Sequence, residues 1–105
     1  MSRNITADTT VYSAAIWWDD SDPMYNVVAT TYKRCEREAD KAIRKEARMA
    51  WHESDGSDHK RIRDYEDELH VAGPCAFVLS DLETGREIDE AISELEANGL
   101  CFLSR

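Results

Sequence analysis

The chain has 105 residues, 42% of them hydrophobic, and its 22 Asp and Glu outnumber 13 Lys and Arg to give a formal net charge of −9. This length suits one domain able to bury a core without staples, and it is too short for a cofactor domain joined to a substrate domain. The polar start from Met1 to Asp8 has no apolar run, and nothing approaches the about 20 apolar residues of a membrane span, so neither signal peptide nor membrane anchor is expected and the chain is read as cytoplasmic. Residues 1–8 are expected to be a flexible N-terminus and 9–105 a single α+β domain.

Val11 to Trp18 is a short run of small, β-branched and aromatic residues and predicts the first strand. It stops at Asp19-Asp20-Ser21-Asp22-Pro23, where Asp22 as N-cap and Pro23 as first helical residue predict a helix start. Apolar positions at helical spacing from Met24 to Ala50, and the helix formers of Lys33 to Trp51, predict one long helix. Val27 to Tyr32 also favours a strand, and a hairpin across the Asp-rich turn is the alternative. Glu53 to Lys60 reads as a solvated loop.

In Ile62 to Val71, Tyr65, Leu69 and Val71 alternate with Glu66, Glu68 and His70, which predicts a strand. Ala72-Gly73-Pro74 then reads as the turn of a hairpin whose second strand is Cys75 to Leu79. After a turn at Glu83-Thr84-Gly85, the spacing of Ile88, Ile92 and Leu95 predicts a second helix ended by Asn98-Gly99, and Leu100 to Leu103 predicts a closing strand. The resulting order is a ferredoxin-like split βαββαβ, a small antiparallel sheet with two helices on one face.

Cys35, Cys75 and Cys101 are odd in number and far apart, as expected of reduced thiols rather than a disulfide framework. His52, His59 and His70 share no metal-ligand spacing with one another or with the cysteines, and Asp55-Gly56-Ser57-Asp58 lacks the ligand pattern of a calcium loop. There is no nucleophile elbow, phosphate-cradling glycine loop or paired His-Glu zinc helix, so no metal, no cofactor and no enzymatic activity is expected.

The charge is unevenly spread: residues 1–32, 33–53, 54–72 and 73–105 carry −3, +2, −3 and −5 in turn. Glu87, Glu90 and Glu94 fall on one face of the predicted second helix, with Cβ atoms about 5–6 Å apart at each step, a row of carboxylates that can imitate a phosphate backbone. Asp64, Glu66 and Glu68 are expected to share the outward face of the hairpin, where like charges repel and point to selection for surface charge. Solubility and adaptation to salt also favour such a surface, the latter because only four of the thirteen basic residues are Lys. Arg34, Arg37, Lys41, Arg44, Lys45 and Arg48 form a basic stripe on the first helix; ordinary pairs such as Glu38 with Lys41 account for part of it, and the overall −9 opposes direct binding to nucleic acid. Trp17 and Trp18 must point to opposite sides of a strand, and Trp17 on an open sheet face is a candidate apolar anchor.

These features predict a small acidic inhibitor that binds the basic surface of a nucleic-acid-handling protein, with Glu87, Glu90, Glu94, Asp64, Glu66 and Glu68 as charged contacts. In size, charge and lack of catalytic motifs the chain resembles phage-encoded anti-CRISPR and anti-restriction proteins; the likeness is one of composition and assigns no residue role. The rival expectation is a homodimer or other structural oligomer paired through the open sheet face around Trp17.

Overall fold

The first apolar run forms β1, Thr10–Trp18, in a computed structural model that describes residues 5–19, 21–54, 61–82 and 85–104. Its side chains alternate between two apolar clusters. Tyr12, Ala14, Ile16 and Trp18 belong to one, and Val11 to another on the opposite face of the sheet.

The helix expected from Pro23 does not begin there. The hairpin alternative forms instead: β2, Tyr25–Ala29, pairs antiparallel with β1, placing Tyr25 opposite Ile16 and Ala29 opposite Tyr12. Val27 and Ala29 enter the first cluster and Val28 the second, so a strand buried on both sides reads as a continuous apolar run rather than an alternating one. Helix α1, Tyr32–Ser54, starts after Thr31, whose hydroxyl accepts the Arg34 N–H at 3.2 Å. It packs across β1, β2 and β3 and buries Cys35, Ala39, Ala42 and Ala47.

Ile62–Glu68 is also a correction, being the short helix α2 rather than a strand. The positions of Ile62, Tyr65 and Leu69 suit either period, and helix formation is tipped by the Asp64 carboxylate, which accepts the Arg61 N–H at 2.8 Å and satisfies a donor at the helix start. Buried Tyr65 meets Trp18 edge-on, with ring centroids 6.5 Å apart. The predicted hairpin is likewise a single strand, β3, Leu69–Val78, running antiparallel to β1 with Leu69 opposite Trp18 and Phe77 opposite Val11. Ala72-Gly73-Pro74 makes a bulge within it, where the register against β1 shifts between Ser13 and Ala15. Gly73 has φ 113°, and a Cβ there would sit 2.5 Å from the Ser13 carbonyl oxygen, while the following Pro74 is tolerated because β3 is an edge strand.

A short 3-10 turn, Leu79–Asp81, leads to α3, Gly85–Asn98; Glu83 and Thr84 of the expected turn lie outside the described residues. Gly99, at φ 71°, ends α3 as predicted and donates its N–H to the Leu95 carbonyl at 2.8 Å. β4, Leu100–Ser104, then pairs antiparallel with β2.

The protein is therefore α+β, with a four-stranded antiparallel sheet in the order β3-β1-β2-β4 and three α-helices among the described residues. The split βαββαβ order is not found, because β2 follows β1 directly and the segment before β3 is helical. The helices do not share a face either: α1 and α2 cover one cluster and α3 the other. Within the N-terminal eight residues, Ile5 is buried in the α3-side cluster and the Ala7 carbonyl accepts the Ser80 N–H at 2.9 Å. No helix among the described residues is long and apolar enough to cross a membrane.

The bulge makes a direct prediction. Gly73→Ala combines positive φ with a backbone clash and should lose about 1–3 kcal/mol of stability in urea denaturation, whereas Gly99→Ala, whose Cβ would make only ordinary contacts with Thr30 Oγ1 at 3.6 Å and Arg34 Nη1 at 3.8 Å, should lose about 1 kcal/mol. An unchanged midpoint for Gly73→Ala contradicts the register described for β1 and β3.

Candidate functional site

Alternation along β1 sends Ser13, Ala15 and Trp17 to the α3 side of the sheet, and the register sets Cys75, Ala72 and His70 opposite them on β3. Helix α3 begins just beyond the end of β3 and finishes where β4 starts. Val78 faces Thr10 and Leu100 faces Ala29, so both points lie at the same end of the sheet. The helix therefore crosses the strands at that end, where Ala91 and Leu95 are buried with Val11, Val28, Leu79 and Cys101. The rest of this face is left open.

The open part is a cleft of about 870 Å³. Its floor includes Ser13, Ala15, Asn26, Ala72 and Cys75, and its α3 wall carries Glu87, Glu90 and Glu94, with Asp81 nearby on the 3-10 turn. The polar groups of the floor pair with each other, Asn26 Nδ2 donating to Ser13 Oγ at 2.7 Å. Glu87, Glu90 and Glu94 are exposed and succeed one another at steps of three and four, so the apolar stripe of α3 that turns Ala91 and Leu95 inward necessarily sets them along its flank. Glu94 reaches electrostatically beneath the helix: the Cys101 thiol is pushed up to about 12, first by burial and then by the Glu94 charge.

Trp17 lies on the same face, beyond the cleft. It is half-buried and stacked on His70, with centroids 5.7 Å and planes 27° apart, and His70 Nε2 is hydrogen-bonded to Asp19 Oδ1. Trp18 points the other way, into the α1-side core, as alternation requires.

The other predicted contacts lie elsewhere. Asp64, Glu66 and Glu68 are on α2, which packs on α1 at the opposite face of the sheet, and none of them lines the cleft. Because the segment is helical, Asp64 and Glu68 share a side and Glu66 is turned away from both. The basic stripe runs along the exposed side of α1, also on that opposite face: Arg34 and Lys41 each meet Glu38, at 3.3 and 3.4 Å, and Arg37, Arg44, Lys45 and Arg48 are exposed around them. His52 lies against Trp51, with centroids 5.1 Å apart, while His59 and Asp55-Gly56-Ser57-Asp58 lie outside the described residues. Among the described residues, no group of three or more His, Cys, Asp and Glu could hold a metal ion.

Sequence reasoning places Ala15 and Trp17 on one open sheet face but missed the Ala72, Cys75 and Asn26 part of the floor and the His70 and Asp19 partners of Trp17, which depend on strand register. The local signal was the run of small residues Ser13-Ala14-Ala15, of which Ser13 and Ala15 share one face. No protein-family model matches the chain, and no curated protein or solved structure matches it significantly.

The thiols provide a test of this geometry. Cys75 is exposed on the floor, whereas Cys35 and Cys101 are buried and all three are unpaired, so alkylation of the native protein should label one thiol and unfolding should release the other two. Burial raises Cys35 from 9.0 to about 11 and Cys101 from 9.0 to about 12. The native state holds these protons more tightly than the unfolded chain, so the associated stability is complete below pH 9 and declines between about pH 9 and 12. A urea midpoint that is no lower at about pH 10.5 than at about pH 8 contradicts this assignment.

Proposed function

We propose that the chain is a non-enzymatic, protein-binding domain whose acidic cleft engages a basic surface on a nucleic-acid-handling protein, acting as a nucleic-acid mimic and inhibitor of the anti-CRISPR or anti-restriction kind. The observation that carries the reading is that Glu87, Glu90 and Glu94 all open on one cleft over an uncovered sheet face. Carboxylates carried on Cβ atoms about 5–6 Å apart along a helix offer anionic partners to the Arg and Lys with which such a protein grips phosphates. Glu87, in the first turn of α3, suits the helix dipole, and the Arg34 guanidinium donates to the Asn98 carbonyl at the other end at 3.4 Å, so the helix tolerates the row.

Mechanistically, a net charge of −9 steers the domain toward a cationic partner, and short-range pairing at the cleft then competes with nucleic acid for the same side chains. The acids of α2 add to the long-range field from the other side. The three free thiols suit a reducing, cytoplasmic setting. A homodimer joined through the open face around Trp17 would press two acidic walls together, which disfavours that alternative.

The test is affinity capture of partner proteins from bacterial lysates expressing defence complexes, at low and high salt. The wild-type chain should recover one nucleic-acid-handling protein that high salt removes. E87K/E90K/E94K should lose it while remaining folded by circular dichroism, and D64K/D67K on α2 should retain it. Full recovery by the folded α3 variant would refute the proposal, as would recovery of this chain alone as a salt-resistant oligomer.

A further inference from the structure

The α3-side face has room for one more helix, and its chemistry specifies which kind. A strand of nine residues, the length of β1, runs about 30 Å, whereas a helix lying across it covers about 10 Å. α3 occupies the end marked by Val11, and Trp17 stacked on His70 stands toward the other end. Between them lies a slot with carboxylates on one side, an aromatic pair on the other and a floor of small residues on β1 and β3, bordered by Leu103 and Phe102 on β4. Side chains the size of Ala15, Ala72 and Cys75 let a helix axis come close to the sheet. The bond from Asn26 Nδ2 to Ser13 Oγ lowers the polar cost of apolar cover at the floor.

The occupant is constrained by backbone chemistry as well as by charge. An extended cationic arm laid over this floor would meet side chains rather than a strand edge, leaving its own N–H and C=O groups without partners. A helix satisfies those groups internally. A second copy of this chain does not supply a suitable one: α1 is the cationic helix, but its stripe of Cys35, Ala39, Ala42 and Ala47 is buried against its own sheet, and the large apolar residues it exposes, Tyr32 at one end and Met49 and Trp51 at the other, form no continuous stripe.

We propose that the slot receives a cationic amphipathic helix of the partner protein, lying beside α3, with Ala- or Leu-type residues on the floor and Lys or Arg at steps of three and four against Glu87, Glu90 and Glu94. This rests on the reading that the α3 acids bind a basic protein surface, and it names the element that they bind.

The experiment is an NMR titration of the full-length, nitrogen-labelled chain with three synthetic peptides. One is an amphipathic helix of Ala, Leu and Lys patterned as above, one is its scramble, and one is an oligolysine of equal charge. The patterned peptide should bind at least about tenfold more tightly than either control and shift the amide signals of Ala15, Ala72 and Glu90. Ala72→Trp, at an exposed position, should fill the slot and abolish that advantage while leaving oligolysine binding unchanged. If all three peptides bind equally and E87K/E90K/E94K abolishes them all, the acids still form a cation-binding site but the helix proposal fails. If none binds, the reading of the acidic wall fails with it.

Discussion

Val11, Ala14 and Ile16 are all fully buried, yet Val11 faces α3 while Ala14 and Ile16 face α1. A central strand that is apolar on both sides cannot leave either side to water, and the arrangement of the other elements answers that requirement. β2 and β3 flank β1 and complete its hydrogen bonding. α1, assisted by α2, closes one side, and α3 closes part of the other. The bulge at Gly73 keeps β3 paired with β1 along its length while the register shifts past Ala14.

The two sides are closed unequally, and the open cleft is the consequence. α1 spans three strands and presents an apolar stripe of small residues to them, whereas α3 crosses the strands at one end only. An amphipathic helix placed at the border of an open face must direct one flank over it, and on α3 that flank is Glu87, Glu90 and Glu94. The bases on the outside of α1 share their face with the acids of α2, whereas Glu87, Glu90 and Glu94 line the cleft on the other face. A charge pattern that is diffuse in the sequence becomes a mixed surface on one side and an acidic wall on the other.

Elements governed by local chemistry could be read from the sequence. The body of α1, the strand β1, the inward stripe of α3 and the Gly99 stop are fixed by periodicity and by a positive φ near the chain positions themselves. Ambiguity arose where two periods share the same residues. Ile62, Tyr65 and Leu69 fit a helix, while Tyr65, Leu69 and Val71 fit a strand. Gly73-Pro74 carries the same local signature in a bulge as in a turn, and only pairing with Ser13 and Ala15 distinguishes them. The row on α3 was legible because it requires nothing beyond helical spacing. The floor was not, since Ala72 and Cys75 meet Ala15 and Ser13 only through long-range register, and Asp64, Glu66 and Glu68 followed the fate of the misread strand.

The central claim is that the uncovered half of the α3-side face, with its acidic wall, is where a partner sits. Amide hydrogen exchange of this chain, free and in complex with a captured partner, tests it most directly. The account predicts added protection in Ser13–Trp17, in Ala72–Phe77 and along Glu87–Glu94, with α1 unchanged. Protection confined to the basic face of α1, with the cleft unaffected, would contradict it.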